Sequence, residues 1–467
     1  MTYSRECLAT LAASLLAAAA CDPGEVTRAC PPPGIVGSAV AANPNNVLSA
    51  VVTADVRSTD SVAVRFGSAG MLDNITPAVA VDGETVVIPV LGLLPEQEYE
   101  LRLEAFGCGT AAGAAMGHLT GSLPVDLLVY VASGPDPSPG YVAFAAGPYG
   151  LVIDNTGRVV WYHRFPNGAG LNFQPQPTGR YVAFPPMSGP AGFGKWQELD
   201  PLGNLTRTFG CAGGLPTRFH DLIALPDGSY WVMCDETREM DLTAHGGVAN
   251  AQVTGTQVQH VSGSGDLLFQ WSPFDHFDIT DLDPVGRTGP VVNWTHGNAI
   301  DLDDEGNLLI SFRSLDEITK IETSTGGVLW RLGGRRNQFS FLNTSSPAFI
   351  RQHGLRVTGR GQLMLLDNLG EPAGSRVERY EVEAGATGDQ GHTARLISTY
   401  VPDTRVVAQL GGTTQPLPGG RSLVAYGNGG RVEEYDAAGQ VVWRIEGNPG
   451  YVFRAQRIRS LYQPIAP

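Results

Sequence analysis

A short turn containing glycine, followed at once by an apolar strand, recurs through most of the chain. The turn glycines are Gly157, Gly203, Gly265, Gly326 and Gly439. The first four lie 46, 62 and 61 residues apart, and the 113 residues before the fifth leave room for one degenerate copy near Leu396–Tyr400. This unit at this period is typical of β-propeller blades of about four strands. The spacing therefore predicts six blades.

The composition agrees with an all-β chain. Gly (59) and Pro (33) together approach a fifth of the 467 residues, and only 16% are charged, which is typical of many short strands joined by tight turns. The formal net charge of −15 argues against binding to nucleic acid or to an anionic membrane, since both need basic surface.

The region before the repeat has a different character. Short strands are predicted over residues 30–125, and the run Leu93–Ala105 is similar to the late strand of fibronectin type III domains, where a tyrosine, here Tyr99, hydrogen-bonds back to the chain. We therefore expect an Ig/fibronectin-III-like β-sandwich over residues 21–127 and a six-bladed β-propeller catalytic domain over residues 128–467. The sandwich has a structural role, or alternatively one in substrate recognition or dimerisation.

Residues 1–20 have the pattern of a secretory signal peptide, because an apolar run of about 13 residues is too short to span a membrane and ends in small residues. Cys21 follows a stretch that is similar to a bacterial lipoprotein box. Plain cleavage without a lipid is the alternative. The expected location is the periplasm or cell envelope, with the lipid anchor as the sole membrane contact.

Four cysteines remain once Cys7 and Cys21 are set aside. We favour two disulfides, each within one predicted domain, because exported proteins retain them. The predicted pairs are Cys30 with Cys108 and Cys211 with Cys234. No C-x-x-C pair is present, so no cysteine metal site is expected.

Three histidines occupy the same place in similar segments. His220, His296 and His353 each stand eight to ten residues before a turn glycine and an apolar strand. In a propeller the innermost strands line a central channel, so these imidazoles should converge on one pocket. A structural alternative is that they cap strand ends, but this would predict histidine in all six blades.

Two more polar residues are expected at the same pocket. Asn298 lies two residues after His296, on the same strand face by period two, and Arg313 ends the apolar strand Leu308–Phe312. An ion pair of Arg313 with Asp316 or Glu317 is the alternative. Histidines with an arginine and an amide suit tetrahedral oxyanions, which indicates sulfuryl or phosphoryl transfer through histidine. Asp221 is expected to point away from the pocket.

The motifs F-H-D, W-T-H-G-N, S-F-R and Q-H-G, with the closing segment Tyr451–Tyr462, resemble the bacterial arylsulfate sulfotransferases that need no 3′-phosphoadenylyl sulfate. The resemblance implies a sandwich before a six-bladed propeller and a ping-pong reaction from a phenolic sulfate ester to an acceptor phenol, without cofactor. It implies a sulfohistidine on His353, proton transfer and oxyanion binding by His220 and His296, and a pocket completed by Arg313, Asn298 and Thr414.

Two other functions stay open on the residues alone. A propeller can bind an anionic ligand or a protein without turnover, and three imidazoles can hold a metal ion, although Arg313 disfavours a dication. The natural donor and acceptor, the choice of nucleophile without the resemblance, and a homodimer through the sandwich are also open. The glycine-rich loop Ala384–Gly391 departs from the family and leaves acceptor specificity undefined.

Overall fold

The computed structural model describes residues 30–68, 70–186, 194–344, 348–370, 374–385 and 391–462. The expected signal peptide and Cys21 lie outside this part of the chain. The described chain is all-β, as its composition predicts, and its helices are all short 3₁₀ turns. None of the helices in the described ranges has the length and apolar character that a bilayer span requires.

Eight strands form two N-terminal sheets. They are β1 (Gly34–Ala42), β2 (Ser49–Arg57), β3 (Thr59–Ser68), β4 (Met71–Ile75), β5 (Val79–Ala80), β6 (Thr85–Leu91), β7 (Glu98–Gly107) and β8 (Gly109–Leu119). One sheet has the order β1-β2-β6, and the other β4-β3-β7-β8 with β5 on β3. The Tyr99 hydroxyl accepts a hydrogen bond from the Leu94 amide (2.9 Å), which is the backward bond expected from the sequence. Cys30 and Cys108 form a disulfide here.

The remaining strands form six further sheets. In chain order they are β9 (Ala132–Ser133), β10 (Tyr141–Ala146), β11 (Tyr149–Ile153), β12 (Val159–Arg164), β13 (Phe173–Pro175), β14 (Tyr181–Ala183), β15 (Trp196–Leu199), β16 (Leu205–Phe209), β17 (Thr217–Ala224), β18 (Tyr230–Met240), β19 (Ala251–Val261), β20 (Leu267–Trp271), β21 (Val291–Asn293), β22 (Gly297–Leu302), β23 (Leu308–Phe312), β24 (Glu317–Ile321), β25 (Val328–Gly333), β26 (Ser340–Leu342), β27 (His353–Gly359), β28 (Gln362–Asp367), β29 (Arg376–Glu383), β30 (Thr393–Tyr400), β31 (Thr413–Pro416), β32 (Ser422–Ala425), β33 (Val432–Tyr435), β34 (Val441–Ile445) and β35 (Ala455–Ile458).

We number these sheets 1 to 6 along the chain. Sheet 1 is β35-β10-β11-β12, sheet 2 is β13 to β16, and sheet 3 is β17 to β20 with β21 on β19. Sheet 4 is β22 to β25, sheet 5 is β27-β28-β29-β30-β26, and sheet 6 is β31 to β34 followed by β9. Sheets 1 and 6 are therefore each completed by a strand from a distant part of the chain.

The 3₁₀ helices connect strands. They span Ala212–Gly214, Thr243–His245, Pro273–Asp275, Ile279–Asp281, Val285–Arg287, Arg313–Leu315 and Pro418–Gly420. The sequence predicts that Arg313 follows an apolar strand, and β23 indeed ends at Phe312, directly before Arg313.

The glycines of the repeat stand two residues before the fourth strand of a sheet, in the strand orders given above. Gly157, Gly203, Gly265, Gly326 and Gly439 all have φ between 76° and 95°, a left-handed backbone that favours glycine. The missing copy is β30 in sheet 5, which Gly391 precedes at the same offset with φ 85°. The repeat therefore marks a turn geometry required in each sheet.

The tryptophans of the repeat join neighbouring sheets. The Trp161 indole donates to the Pro201 carbonyl in sheet 2 (2.8 Å), and the Trp443 indole of sheet 6 donates to the Asn155 carbonyl in sheet 1 (2.9 Å). Both rings are fully buried. A second disulfide, Cys211 with Cys234, joins the segment before β17 to β18.

The first-named strands of sheets 1 to 6 are connected in a ring, and we call them the leading strands. A hydrogen bond joins each neighbouring pair: Gln174 Nε2 to Leu222 O (3.1 Å), Ile300 N to Asp221 Oδ2 (3.2 Å), Val357 N to Asp301 Oδ2 (2.9 Å), Thr414 Oγ1 to Gly354 O (2.6 Å), Gln415 Nε2 to Arg457 O (3.1 Å), and Arg454 Nε to Asn172 Oδ1 (3.0 Å). The last bond joins residues that directly precede β35 and β13.

Candidate functional site

The three repeated histidines lie at the same end of three neighbouring leading strands. His353 is the first residue of β27, His296 directly precedes β22, and His220 lies in β17. The rings of His220 and His296 meet edge to face, with centroids 5.0 Å apart. His353 is near enough to lower the pKa of both. We call these residues the histidine cluster.

His353 has a defined proton position. Its ring is 2% exposed, and Nδ1 lies 3.0 Å from the Arg351 carbonyl oxygen and 2.9 Å from Oδ1 of Asn368. Both neighbours are acceptors, so we assign the proton of the neutral ring to Nδ1. The lone pair then resides on Nε2. The bond to the Arg351 carbonyl is the strand-end cap that a purely structural histidine would make, but it uses Nδ1 and leaves Nε2 without a bond to any described residue.

His220 has the opposite tautomer. The Arg218 Nε–H points at Nδ1 of His220 (3.4 Å), and because a guanidinium cannot accept, Nδ1 must carry the lone pair. The proton is therefore on Nε2. The ring stacks on Phe219 (4.1 Å), and the His220 carbonyl accepts from Asn172 Nδ2 and Arg454 Nη2. The imidazole is thus fixed in position as a donor.

His296 is the most exposed of the cluster and has an unusual backbone. Its φ is 48°, and β22 begins with a bulge after it, so the period-two argument that placed Asn298 on its face does not apply. Its Nδ1 lies 2.7 Å from Nδ2 of Asn293, an exposed amide, and its carbonyl accepts from the Arg313 amide (3.0 Å). The backbone bond joins His296 directly to Arg313.

Arg313 forms no ion pair with any described residue. Of its suggested partners, Glu317 pairs with Arg331 (2.7 Å), and Asp316 accepts from the Arg351 amide. The Arg313 Nη2 donates to the Gln409 carbonyl (3.1 Å), while the buried Nε has no partner. Burial and then the charge of Arg351 lower its pKa. An unneutralised, half-buried guanidinium with a free N–H is suited to an anion.

The histidine cluster lies in positively charged surroundings, which together with burial lower the pKa of its rings. Burial lowers the pKa of His353 to about 4, opposed by its bond to Asn368. Burial and Arg218 lower the pKa of His296 to about 2 and hold that of His220 well below its usual value. All three rings are therefore neutral at pH 7 in the empty site. A bound anion would reverse part of this shift, because it favours the protonated form.

Asn298 and Thr414 contact the backbone on either side of His353. Asn298 Nδ2 donates to the Gln352 carbonyl (2.6 Å), and the Thr414 hydroxyl donates to the Gly354 carbonyl (2.6 Å). Both side chains are buried, and Oδ1 of Asn298 has no partner. These bonds hold the strand that carries His353.

Sequence reasoning missed several neighbours of the cluster. Phe453 meets the rings of His220 (5.9 Å) and His353 (6.5 Å), and with Phe219 it forms an aromatic wall. Asp221 is buried between Arg454 (2.9 Å) and Arg356 (3.1 Å), so it braces the ring of leading strands. The closing segment contains Phe453 and Arg454, and their place in that segment was the available signal.

A metal ion is not suited to this site. Among the described residues, no three His, Cys, Asp or Glu side chains are grouped to hold one. The cluster also lies beside Arg218 and Arg313, whose charges repel a dication. The arrangement favours a monoanion that meets one imidazole lone pair and several N–H donors.

Comparison with known proteins gives one family and a set of remote structural likenesses. Residues 192–448, more than half of the chain, match the family model described as arylsulfotransferase (ASST). No curated protein matches the chain. A protein of unknown function from Bacteroides caccae is 14% identical, covering 69% of this chain and 100% of that chain with a TM-score of 0.44. A catalytically inactive virginiamycin B lyase from Staphylococcus aureus with quinupristin is 10% identical, with 67% and 87% covered and a TM-score of 0.36.

Proposed function

The chain belongs to the arylsulfotransferase family, and on this premise we propose that it transfers a sulfuryl group from an aryl sulfate to a phenol, with His353 as the nucleophile. The observation that carries the proposal is that Nδ1 of His353 faces two acceptor oxygens, from which we assign the proton of the ring to Nδ1. The Nε2 lone pair is thereby available. With a pKa of about 4 the ring is unprotonated at neutral pH, as a nucleophile must be.

In the first half-reaction, Nε2 of His353 attacks the sulfur of the ester. The N–S bond forms as the bond from sulfur to the aryl oxygen breaks, and the electron pair of that bond leaves with the phenoxide. The product is a sulfohistidine. In the second half-reaction the oxygen of an acceptor phenol attacks the same sulfur, the N–S bond breaks, and its electron pair returns to Nε2. The sequence is ping-pong and needs no nucleotide.

His296 is suited to carry the proton between the two phenols. A bound sulfate ester is anionic and favours the protonated form of the ring, so we infer that His296 acts as the acid through the fraction of the bound enzyme in which it carries a proton. It gives this proton to the leaving phenoxide and takes the proton of the acceptor phenol in return. The Asn293 amide is exposed and can turn to present Oδ1 or Nδ2, so it can match either state of Nδ1.

His220 is suited to a different role. The fixed Arg218 N–H at its Nδ1 opposes a proton there, so the ring stays neutral and donates from Nε2. A neutral imidazole N–H is a hydrogen-bond donor rather than an acid at pH 7. We assign it, with the free Nε–H of Arg313, to the sulfuryl oxygens, whose charge such donors stabilise. Phe219 and Phe453 would contact the aryl ring.

We keep Asn298 and Thr414 in the proposed substrate pocket, because both side chains bond the backbone on either side of His353. Asn298 has one amide hydrogen bonded to Gln352 and a second that can serve a sulfuryl oxygen. The Thr414 hydroxyl hydrogen is used by Gly354, so its role is to support the backbone after His353. Substitution of either residue should act on both half-reactions.

We further infer that sheets 1 to 6 are the blades of one six-bladed propeller and that the N-terminal sheets form a separate Ig-like sandwich. The ring of hydrogen bonds between leading strands supports closure. Closure is also supported by β9, which joins sheet 6, and by β35, which joins sheet 1. The proposed boundary lies near residue 127, before β9.

We also propose that the protein is exported to the periplasm or cell envelope, with Cys21 as the lipid acceptor. Two disulfides among the described residues support an oxidising compartment. Labelling with a radioactive fatty acid tests the lipid, and Cys21→Ala should remove the label.

The decisive experiment is mass spectrometry of the pure protein after incubation with 4-nitrophenyl sulfate. We expect a burst of 4-nitrophenol, an acid-labile adduct of one SO₃ on the peptide holding His353, and steady turnover when a phenol is added. His353→Ala should abolish all three. The exposed His276, outside the cluster, gives the matched control His276→Ala. Tight binding without phenol release would indicate a binding module instead, and an adduct on another peptide would move the nucleophile.

A further inference from the structure

Asn368 is a buried amide directly behind the histidine cluster. It follows β28, is fully buried, and belongs to none of the sequence motifs that marked the site. Its side-chain amide makes three hydrogen bonds with described residues, one through Oδ1 and two through Nδ2. A buried amide whose hydrogen bonds are satisfied in this way holds the groups that it contacts rigidly in place.

The orientation of this amide is determined by its neighbours. Both hydrogens of Asn368 Nδ2 are used, one by the Ala408 carbonyl (2.7 Å) and one by the Gly411 carbonyl (2.8 Å). Turning the amide over would place Oδ1 against these two carbonyl oxygens and would lose both bonds. Oδ1 must therefore face Nδ1 of His353, 2.9 Å away, and can only accept from it.

The same amide also supports Arg313. Its two carbonyl partners belong to the segment Ala408–Gly411, and the Gln409 carbonyl within that segment accepts from Arg313 Nη2 (3.1 Å). A second connection runs through Ser375, whose hydroxyl donates to the Asn368 carbonyl and accepts from the Ala408 amide. One side chain thus connects the nucleophile of sheet 5 to the anchor of the arginine.

We propose that Asn368 is a positioning residue that holds His353 in the Nδ1–H tautomer, and that it aligns Arg313 with Nε2 through the segment Ala408–Gly411. The proposal deepens the sulfuryl-transfer function and rests on it. If Oδ1 is removed, the Arg351 carbonyl alone holds the proton on Nδ1, and the ring can turn or exchange tautomers. The exchanged tautomer points an Nε2–H at the sulfur and the turned ring points a C–H there, so neither state can react.

The first measurement is the tautomer itself. In protein labelled with ¹⁵N-histidine, long-range ¹⁵N–¹H spectra distinguish a protonated ring nitrogen from one with a lone pair. We expect His353 to show one state in the wild type, with Nδ1 protonated, and a mixture in Asn368→Ala. Asn43→Ala is the matched control, because Asn43 is also buried and its amide also donates two hydrogen bonds, to Ser49 and Leu202.

The second measurement is kinetic. Loss of the group that orients a metal-ligating histidine commonly costs roughly 10- to 100-fold, and on this analogy we expect Asn368→Ala to lower kcat for phenol release by roughly 10- to 100-fold. KM should rise less than kcat falls. Asn43→Ala should keep the wild-type kcat. A single Nδ1–H state in Asn368→Ala together with an unchanged kcat would overturn the proposal.

Asn368→Asp keeps the acceptor that faces His353 but loses the two amide hydrogen bonds to the Ala408 and Gly411 carbonyls. The carboxylate still accepts from Nδ1, and its charge favours the imidazolium, so the acid limb of kcat/KM should move up by about one to three pH units. The other charged or titratable groups facing His353 are Arg313, His220 and His296, which this variant leaves in place. A purely structural asparagine predicts equal loss at every pH, which would also overturn the proposal.

Failure of the underlying function gives a different result. If wild-type protein releases no phenol from aryl sulfates, the sulfuryl-transfer proposal is wrong, and both kinetic measurements lose their basis. The spectra would still decide whether Asn368 determines the tautomer of His353. If Asn368→Ala does not fold, Asn368→Asp carries the test through the pH profile.

Discussion

The imidazole rings of His220 and His296 meet edge to face, with 5.0 Å between the two ring centroids. Two rings so close, beside Arg218, disfavour a proton on either, and both have lowered pKa values. Their hydrogen-bond partners differ, however, since Nδ1 of His220 meets a fixed cation and that of His296 meets an exposed amide. We therefore propose that His220 donates a hydrogen bond while His296 transfers the proton.

This division predicts a dependence on the leaving group. We expect His296→Gln to lower kcat/KM for phenyl sulfate by roughly 10²–10⁴-fold, because a basic phenoxide needs a proton as it leaves. The loss on 4-nitrophenyl sulfate should be much smaller, because nitrophenoxide leaves without one. Initial rates on a series of substituted phenyl sulfates measure this. Equal losses on both esters would contradict the role of His296 as the acid.

Arg313 should be needed for its shape as well as its charge. We expect Arg313→Ala to lower kcat/KM by roughly 10²–10³-fold, the usual cost of an oxyanion donor. Arg313→Lys should recover little, because an ammonium lacks the planar fork that reaches Gln409 and the anion together. Arg360→Ala is the control, since that side chain is 89% exposed. Full recovery by lysine would show that charge alone suffices.

The buried histidine should make stability depend on pH. The pKa of His353 falls from 6.5 to about 4 on folding, so between these values the unfolded chain binds more protons. The free energy of unfolding therefore decreases as the pH drops below about 6.5, by about 2 kcal/mol from pH 7 to pH 5 for this group. Urea unfolding at both pH values should show a loss smaller by that amount in His353→Gln. Parallel losses would mean that His353 stays solvated.

The disulfide in sheet 3 should matter more for stability than for chemistry. Cys211 and Cys234 are 23 residues apart, and a loop of this length predicts about 3 kcal/mol of stabilisation. The double substitution to alanine should lower Tm while kcat at 25 °C changes little. Removing Cys30 and Cys108, 78 residues apart, should cost about 4.5 kcal/mol by the same reasoning. A large loss of kcat without a change in Tm would show that the sheet 3 bond positions Arg218.

Much of this architecture could be predicted, because the repeated glycines stand where the backbone must adopt a left-handed conformation. Each glycine turn needs a left-handed residue, so the pattern of Gly157 and its equivalents reports where sheets end. Equivalent positions in equivalent units then bring distant histidines together. The apolar pattern of Leu308–Phe312 predicted the strand that ends before Arg313, and the likeness of Leu93–Ala105 to a fibronectin type III strand predicted the hydrogen bond of Tyr99.

The partners of the cluster could not be predicted, because they come from connecting segments that the repeat does not constrain. Asn368 meets its carbonyl partners only because the segment Ala408–Gly411 returns toward sheet 5. The period-two argument for Asn298 was wrong in its premise, because His296 has a left-handed backbone rather than that of a strand. Asp221 was expected to lie away from the pocket, and its ion pairs with Arg454 and Arg356 depend on contacts between three sheets.

The pairing of β35 with β10 has a consequence for how the protein is made. Residues 455–458 complete the sheet that begins at Tyr141, and Arg454 beside them holds the carbonyl of His220. A ribosome must therefore synthesise more than 300 further residues after Tyr141 before this sheet can close. Until then the partly made chain has an unfinished ring and an incomplete pocket, so a truncated product would lack both the fold and the reactivity of the finished one.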